Sequence, residues 1–215
     1  MRKNYILLLA ISFMYTFSFA QFEGSKQVYS SPKLKEQIGL HKTVAIIPFE
    51  ASITYKRIPK NYDPSANKNE ENTLSKSLQQ SMYTYLLRKE GKYTVTFQDV
   101  DRTNALLKSK GVMDKISELT ADSLCKILGV DAVIKCRYTY EKTASEAGAI
   151  AKTLLFGSMG SKTGAGALTM QIYNGKDGDL LWRFYKVMDD NVMSSTDVLM
   201  ERMMRKVSRN FPYEK

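Results

Sequence analysis

The sequence predicts an α/β fold in which one mixed β-sheet packs against helices. Short β-rich apolar runs alternate with amphipathic segments in the order β-α-β-α-α-β-α-β-β-α. A hairpin signal lies near the C-terminal end, where "LTMQIY" and "LLWRFYKV" flank the turn-rich "NGKDGD". Since no linker rich in Pro, Gly or Ser divides the chain, we expect a single domain over residues 43–213.

Residues 1–20 have the pattern of a secretory signal peptide. Arg2 and Lys3 precede an apolar run over residues 5–17, and small residues follow it, with Ala20 at the expected cleavage point. A single membrane anchor is the alternative, but the run is shorter than the roughly 20 residues of a spanning helix. No cysteine lies near the cleavage point, so lipid attachment there is not expected. The predicted location is the periplasm.

The first part of the exported chain is predicted to be mostly irregular. Residues 21–42 are polar and without period, which predicts an irregular N-terminal arm. The apolar run from Val44 to Phe49 predicts a buried strand. Residues 51–70 contain two prolines and three asparagines and show no period, so we expect a long loop, and long loops are often functional.

The middle and the end of the chain carry the clearest helix signals. One helix has an apolar stripe made of Leu74, Leu78, Met82, Tyr85 and Leu86. After a strand in "YTVTFQDV", a short helix ends at Gly111, and another runs from Thr120 to Gly129 into a strand over residues 132–140. The C-terminal helix has a stripe made of Leu199, Met200, Met203, Met204 and Val207, which predicts core packing.

Residues 143–167 are predicted to be a helical insertion rich in Ala and Gly. Its segment "FGSMGSKTGAG" is similar to a phosphate-binding loop, but Phe156 and Ser161 stand where that motif requires glycine. The stretch also follows an amphipathic helix and precedes a strand, which is the reverse of the order in a nucleotide site. We therefore expect no bound nucleotide and no cofactor. The helix is expected to contact its own sheet, a second subunit or a membrane surface.

The net charge of +10 raises the question of a polyanionic partner. The basic residues are scattered, and no RNP, helix-turn-helix or zinc-finger pattern is present, so no nucleic-acid partner is expected. Outside the cytoplasm, anionic lipid or polysaccharide is the better match for such a charge.

The two cysteines and the one histidine limit the chemistry. Cys125 and Cys136 are both predicted on apolar faces of one helix-on-sheet core, as two buried thiols in preference to a disulfide. Together with His41 they cannot complete a four-ligand zinc site without carboxylates, so no metal is expected.

Signs of an enzyme are weak. No G-x-S-x-G or H-E-x-x-H pattern is present, and any Ser-His-Asp or Cys-His site would have to use His41. The adjacent acids Glu70 with Glu71 and Asp189 with Asp190 are expected to be solvated. An envelope hydrolase that uses one of these groups remains the enzymatic alternative to a protein without catalytic activity.

Several motifs together resemble one family of bacterial envelope proteins. They are "TVAIIPFE", Arg102 before Leu106 and Leu107, the helix end "LGVD" at residues 128–131, and "GDLLW" at residues 178–182. Their order resembles the CsgG-like family, which includes the curli secretion channel and, more distantly, LpoB-type lipoprotein activators of peptidoglycan synthases. The resemblance covers about residues 43–187.

This resemblance implies a non-enzymatic envelope protein that acts through an envelope protein partner or self-association. The chain lacks the lipobox cysteine of these relatives, and its insertion is predicted as helix plus linker where the channel has membrane hairpins. A membrane-associated oligomeric secretion component is therefore the alternative, with a possible peripheral membrane contact. The candidate partner-binding residues are Tyr55, Arg57, Tyr62, Ile150 and Leu154.

Overall fold

The computed structural model describes residues 26–142, 164–190 and 196–215, and it confirms an α/β domain with a mixed sheet. The strands are β1 (Lys26–Ser30), β2 (Thr43–Ile46), β3 (Glu50–Tyr55), β4 (Thr96–Phe97), β5 (Ala132–Lys142), β6 (Gly164–Asn174) and β7 (Leu180–Asp190). The helices are α1 (Leu34–Ile38), α2 (Pro64–Leu87), α3 (Val100–Ser109), α4 (Ala121–Leu128) and α5 (Thr196–Ser208), with short 3₁₀ segments at Glu90–Lys92 and Met113–Glu118.

The sheet is organised around β5. Its strand order is β1-β7-β6-β5-β2-β4, and β3 also pairs with β5. β2 and β3 follow one another along the same side of β5, both parallel to it, and residues 47–49 separate them. β6, β7 and β1 continue the sheet on the other side in antiparallel pairs.

Helices cover the two faces of the sheet to different extents. One face, called the α2 face here, carries the larger core, in which Met82 of α2 and Met203 of α5 share a cluster with Trp182 of β7. The opposite face is covered only near β2 and the start of β5, where Leu107 of α3 and Leu124 of α4 pack in one cluster. The predicted apolar stripes of α2 and α5 lie in the larger core, as expected.

The N-terminal arm differs from its prediction. Residues 21–42 were expected to be irregular, but β1 and α1 lie within them. All five side chains of β1 are exposed, so the strand has no apolar signal. It forms because its main chain pairs antiparallel with β7, with Val28 opposite Phe184.

The predicted loop over residues 51–70 is also wrong. β3 occupies its first part and α2 starts at Pro64, so that only residues 56–63 connect the two elements. Asp63 caps the helix by accepting a hydrogen bond from the main-chain N–H of Ser65 at 2.8 Å. The proline at the first helical position, which suggested a loop, is favourable there because it has no N–H to satisfy.

The first turns of α2 escaped prediction because their buried contacts are polar. A row of side chains spaced four residues apart faces the main chain of β2 and β3. The row consists of Asn67, Glu71, Ser75 and Gln79. At Ile53, the Asn67 amide donates to the main-chain oxygen at 3.2 Å, and a Glu71 carboxylate oxygen accepts from the main-chain N–H at 2.9 Å. These bonds satisfy the free edge of β3.

The second half of this polar row covers the break between β2 and β3. The Ser75 hydroxyl donates to the Phe49 oxygen at 2.6 Å. The Gln79 amide donates to the Ile46 oxygen at 2.8 Å and exchanges two hydrogen bonds with Asn104 of α3. Gln79 is almost completely buried, so its hydrogen bonds replace water at main-chain groups that the break leaves unpaired.

Replacing Gln79 should destabilise the fold. Gln79→Ala leaves the buried Ile46 oxygen without its partner, and we expect a loss of about 1–3 kcal/mol in the free energy of unfolding. The control is Gln80→Ala, because Gln80 is exposed on the same helix. Urea unfolding of both variants measures the difference. Equal stability of the two would contradict the role of the polar row.

The "LGVD" segment fixes the register of β2. Gly129 adopts a left-handed conformation (φ 65°) at the end of α4. Two residues later, an oxygen of the Asp131 carboxylate accepts hydrogen bonds from the main-chain N–H groups of Lys42 and Thr43 at 2.8 and 2.9 Å. Desolvation alone would raise the pKa of Asp131, but the hydrogen bonds from Thr43 and Lys42 outweigh it and hold the pKa below its ordinary value.

The lowered pKa of Asp131 predicts a pH-dependent contribution to stability. Because the folded pKa lies below the unfolded one, the contribution is fully present above the unfolded value of about 3.9 and is lost as the pH falls further. We expect Asp131→Asn to cost less than about 1 kcal/mol at neutral pH, because a charge-assisted bond becomes a neutral one at a site that solvent partly screens, and to cost still less near pH ~3. Denaturant titrations at both pH values, with Asp114→Asn at an exposed site as control, measure this difference.

The insertion over residues 143–167 is shorter than predicted. Residues 164–167 belong to β6, and Gly166 lies opposite Tyr140 of β5. A Cβ atom at Gly164 would lie 2.5 Å from the Tyr140 ring, so glycine is needed for this close approach. The small residues that suggested a linker therefore allow the hairpin to extend. The amphipathic helix and most of "FGSMGSKTGAG" lie outside the described residues.

Candidate interaction surface

The His41 side chain forms hydrogen bonds that hold parts of the fold together. Its ring is buried, Nε2 lies 3.1 Å from Asn174 Oδ1 and Nδ1 lies 2.8 Å from the Tyr213 hydroxyl oxygen. The Asn174 amide nitrogen donates to Asp177 and Gln37, so its oxygen faces His41 and accepts a hydrogen bond from the Nε2–H group. Both ring nitrogens are therefore engaged in hydrogen bonds that tie the start of β2 to the β6–β7 turn and the C-terminus.

The acidic pair in α2 is also engaged. Glu70 binds Lys142 at 2.7 Å, and Glu71 binds the Ile53 main chain and Lys68. Asp189 and Asp190 end β7. No group of three or more His, Cys, Asp or Glu residues in the described ranges is placed to hold a metal ion.

The two cysteines lie on opposite faces of the sheet. Cys136 points into the core under α2, with Ile134 and Tyr138, as predicted. Cys125 packs with Val133 in the cluster under α4, so the expectation of one shared core is wrong. Both thiols are free and buried, and burial raises the pKa of Cys125 to about 12 and also raises the pKa of Cys136.

These environments predict slow thiol chemistry in the folded protein. We expect both cysteines to react with Ellman's reagent about a hundredfold more slowly than in denaturant, because the reactive thiolate is disfavoured and the sulfur is covered. The variant Cys136→Ala reports on Cys125 alone. Fast reaction of the native variant, or a mass that corresponds to a disulfide in the wild type, would contradict this assignment.

A polar cleft lies at the carboxyl end of β2, between α2 and the Met113–Glu118 segment. Its volume is about 370 Å³, and Gln79, Asn104 and Lys135 line it together with Glu50. The two amides bind one another, and the Lys135 ammonium donates to the Leu119 oxygen at 3.3 Å. Burial lowers the pKa of Lys135. The cleft thus contains an amide pair, two cations (Lys76 and Lys135) and two carboxylates (Glu50 and Asp114).

Beyond this cleft, part of one sheet face is not covered by any described helix. On the face opposite α2, no described helix lies over β7, β1 or the second half of β5, and the side chains there are exposed or half-buried. We call this region, formed by alternate residues of β1, β3, β5, β6 and β7, the open face. It lies on the side of the sheet that α3 and α4 cover only in part.

Strand register aligns the side chains of the open face in two rows. The first row consists of Tyr29, Arg183, Gln171 and Lys135. The second row consists of Gln27, Tyr185, Thr169, Arg137 and Glu50. In the second row, Arg137 and Glu50 form an ion pair at 2.6 Å between exposed side chains. Arg183 in the first row is exposed and has no hydrogen bond or ion pair within the described ranges.

The comparisons with known proteins add only structural similarities. No protein-family model matches the chain, and no characterised protein matches it by sequence. Lipoprotein GNA1162 from Neisseria meningitidis aligns with 78% of this chain and 96% of its own, at 11% identity and a TM-score of 0.48. A PelC dodecamer structure from Paraburkholderia phytofirmans aligns over 89% and 98%, at 12% identity and a TM-score of 0.43. The C-terminal domain of LpoB from Salmonella enterica aligns over 70% and 84%, at 12% identity and a TM-score of 0.34.

Among the described residues, no helix has both the length and the hydrophobicity of a transmembrane span.

The three predicted contact residues that the structure describes lie at one end of the sheet. Tyr55 ends β3 and forms an edge-to-face contact with Tyr62, with ring centroids 5.5 Å apart. The Lys142 ammonium lies 5.4 Å from the Tyr55 ring centroid, and Arg57 is exposed in the same connection. Ile150 and Leu154 lie outside the described residues. The structure therefore brings two of the predicted aromatic residues together.

Sequence reasoning missed the open face, although a signal for it exists. In β6, apolar Leu168, Met170 and Ile172 alternate with Thr169 and Gln171, as in strands with one solvated face. The alternation shows that one face is polar. The strand register is needed to show that the polar residues of five strands form one continuous surface. The positions of α3 and α4 are needed to show that these helices leave it uncovered.

Proposed function

We propose that this chain is an exported, non-enzymatic protein of the cell envelope that binds a protein partner through the open face. The observation that carries the proposal is the alignment of tyrosine, arginine and amide side chains across five strands with no described helix above them. Tyrosine and arginine are frequent among residues that dominate protein interfaces. In residues 1–20, two basic residues precede an apolar run, and this signal-peptide pattern supports export.

The chemistry of the open face suggests the character of its partner. Arg183 and Lys135 are cations, and the charge of Arg137 is partly balanced by Glu50. Tyr29, with 48% of its surface exposed, offers a large amphipathic contact area at the edge. A protein surface that presents carboxylates opposite Arg183 and Lys135, and apolar side chains opposite the tyrosines, would be complementary.

The size of the open face suggests that other segments contribute to the interface. Five strands spaced about 4.8 Å apart span roughly 20 Å, and two rows of alternate residues cover roughly 13 Å along the strands. The resulting patch of about 260 Å² is about a third of the roughly 800 Å² per partner in a standard interface. The β3–α2 connection, with Tyr55, Arg57 and Tyr62, is the nearest predicted contact segment and lies at the end of the same strands.

The groups that a hydrolase would use are already bound within the protein, which favours this proposal over a hydrolase. His41 and the Glu70–Glu71 pair are committed to contacts within the protein. The resemblance of the "TVAIIPFE" and "LGVD" motifs to the CsgG-like and LpoB-like envelope proteins also favours action through protein contacts.

Site-specific crosslinking in cells tests the proposed interface. A photoreactive phenylalanine analogue replaces Tyr185 on the open face or Arg205 on α5 as the control. We expect one defined adduct from position 185 only, and Arg183→Glu should reduce its yield about tenfold by placing a carboxylate opposite the partner's acidic groups. Equal adducts from both positions, or none from position 185, would contradict the proposal.

The mass of the adduct distinguishes the alternatives. An adduct of twice the mass of the chain would mean that the partner is a second copy of this chain, as in a membrane-associated oligomer. Fractionation of the same cells tests export, since recovery of the protein in the cytoplasmic fraction would contradict a periplasmic location.

A further inference from the structure

The β3–α2 connection presents an apolar side chain at its tip. Ile58 is 72% exposed, the largest value among the large hydrophobic residues in the described ranges, and Tyr62 in the same connection is 38% exposed. Most exposed aliphatic side chains occur singly and need no explanation. The surroundings of Ile58 give it significance.

Three cations flank this apolar tip. Residues 56–62 read "KRIPKNY", with Lys56, Arg57 and Lys60 and no acidic residue. All three side chains are exposed, and none of their charged groups has a hydrogen bond or ion pair within the described parts of the chain. Elsewhere in the protein, basic side chains such as Lys68, Lys126 and Arg137 pair with carboxylates.

The acidic groups next to the connection are already bound to other partners. Asp63 caps α2 through the Ser65 main chain. Glu70 binds Lys142, and Glu71 binds the Ile53 main chain and Lys68. The positive charge of residues 56–60 is therefore not neutralised from the adjacent helix.

The rest of the fold holds the connection in place. The main-chain N–H of Lys56 donates to the Lys142 oxygen at 3.0 Å, which continues the β3–β5 pairing. The N–H of Tyr62 donates to the Pro59 oxygen at 3.2 Å and closes a turn around the tip. The Tyr62 ring packs on the Tyr55 ring. Binding at this tip would thus require little ordering of the chain.

From this arrangement we infer that residues 56–62 bind the surface of an anionic phospholipid bilayer. Ile58 enters the boundary between headgroups and acyl chains, and Lys56, Arg57 and Lys60 face the phosphates. Apolar side chains surrounded by cations are the general pattern of interfacial membrane binding. A protein partner would need much more surface than one seven-residue turn offers, and a soluble polyanion would leave Ile58 without an apolar environment.

The inference does not require the open face to bind a partner. The proposed function places the same connection beside the partner interface, but crosslinking from position 185 reports on the partner and vesicle sedimentation of the purified protein reports on the membrane. Failure of one can therefore be distinguished from failure of the other.

Vesicle sedimentation of the protein purified after export tests the inference. We expect partition onto phosphatidylcholine vesicles that contain phosphatidylglycerol, little partition onto phosphatidylcholine alone, and weaker binding at high salt. The triple variant K56Q/R57Q/K60Q should lower partition about a hundredfold, from about fivefold for each cation. Ile58→Ser should lower it about tenfold by removing the inserted side chain.

The matched control neutralises three exposed cations elsewhere. K108Q/K110Q/K115Q has the same net charge as the first triple variant, but its changes lie in and after α3. It should retain most of the binding. Equal losses from both triple variants would overturn the inference, because binding would then follow net charge. An unchanged partition of Ile58→Ser would also overturn it.

A fluorescence measurement locates the contact directly. The chain has one tryptophan, and Trp182 is buried, so Ile58→Trp adds a reporter at the tip. We expect its emission to shift to shorter wavelength when anionic vesicles are added, while the parent protein shows no shift. An unshifted emission under conditions in which the variant sediments with the vesicles would place the contact elsewhere and overturn the inference.

Discussion

The hydrogen bonds between the polar row of α2 and the broken β2–β3 edge are the interaction on which the rest of the architecture depends. Pro48 interrupts the strand, so the carbonyl groups of Ile46 and Phe49 lose regular ladder partners, and Gln79 and Ser75 replace them. These bonds set the position of α2 along the sheet. The apolar side chains of α2 then enter the core, and its Ser81 hydroxyl binds Asp197 of α5 at 2.6 Å.

This arrangement makes the sheet asymmetric. Helices α2 and α5 cover one face, whereas α3 and α4 reach only β2 and the start of β5 on the other. Accordingly, Ala132, Val133 and Ile134 are all fully buried, and from Lys135 onward only alternate residues of β5 are buried. The long β6–β7 hairpin extends beyond the second helical layer, and its outward side chains form the middle of the open face.

The side chains with and without partners inside the protein are distributed as in a protein that acts through surface contacts. The groups that could support catalysis hold the structure together: His41 joins the N- and C-terminal segments, and the two thiols are buried apart from one another. The groups without internal partners, such as Arg183 and the cations around Ile58, lie at the surface. This distribution supports the proposed role in surface recognition.

The sequence by itself determined the α/β class, the stripes of α2 and α5, the α4–β5 connection and the hairpin, because each has a local period or a turn signal within its own residues. Only the tertiary structure decided the rest. β1 is polar and exists through its pairing with β7, and the first turns of α2 contact a strand edge through Asn67 and Glu71. Cys125 and Cys136 are separated by the sheet. The open face depends on the register of five strands and on where the helices end. These features result from contacts between distant residues, and no local period records them.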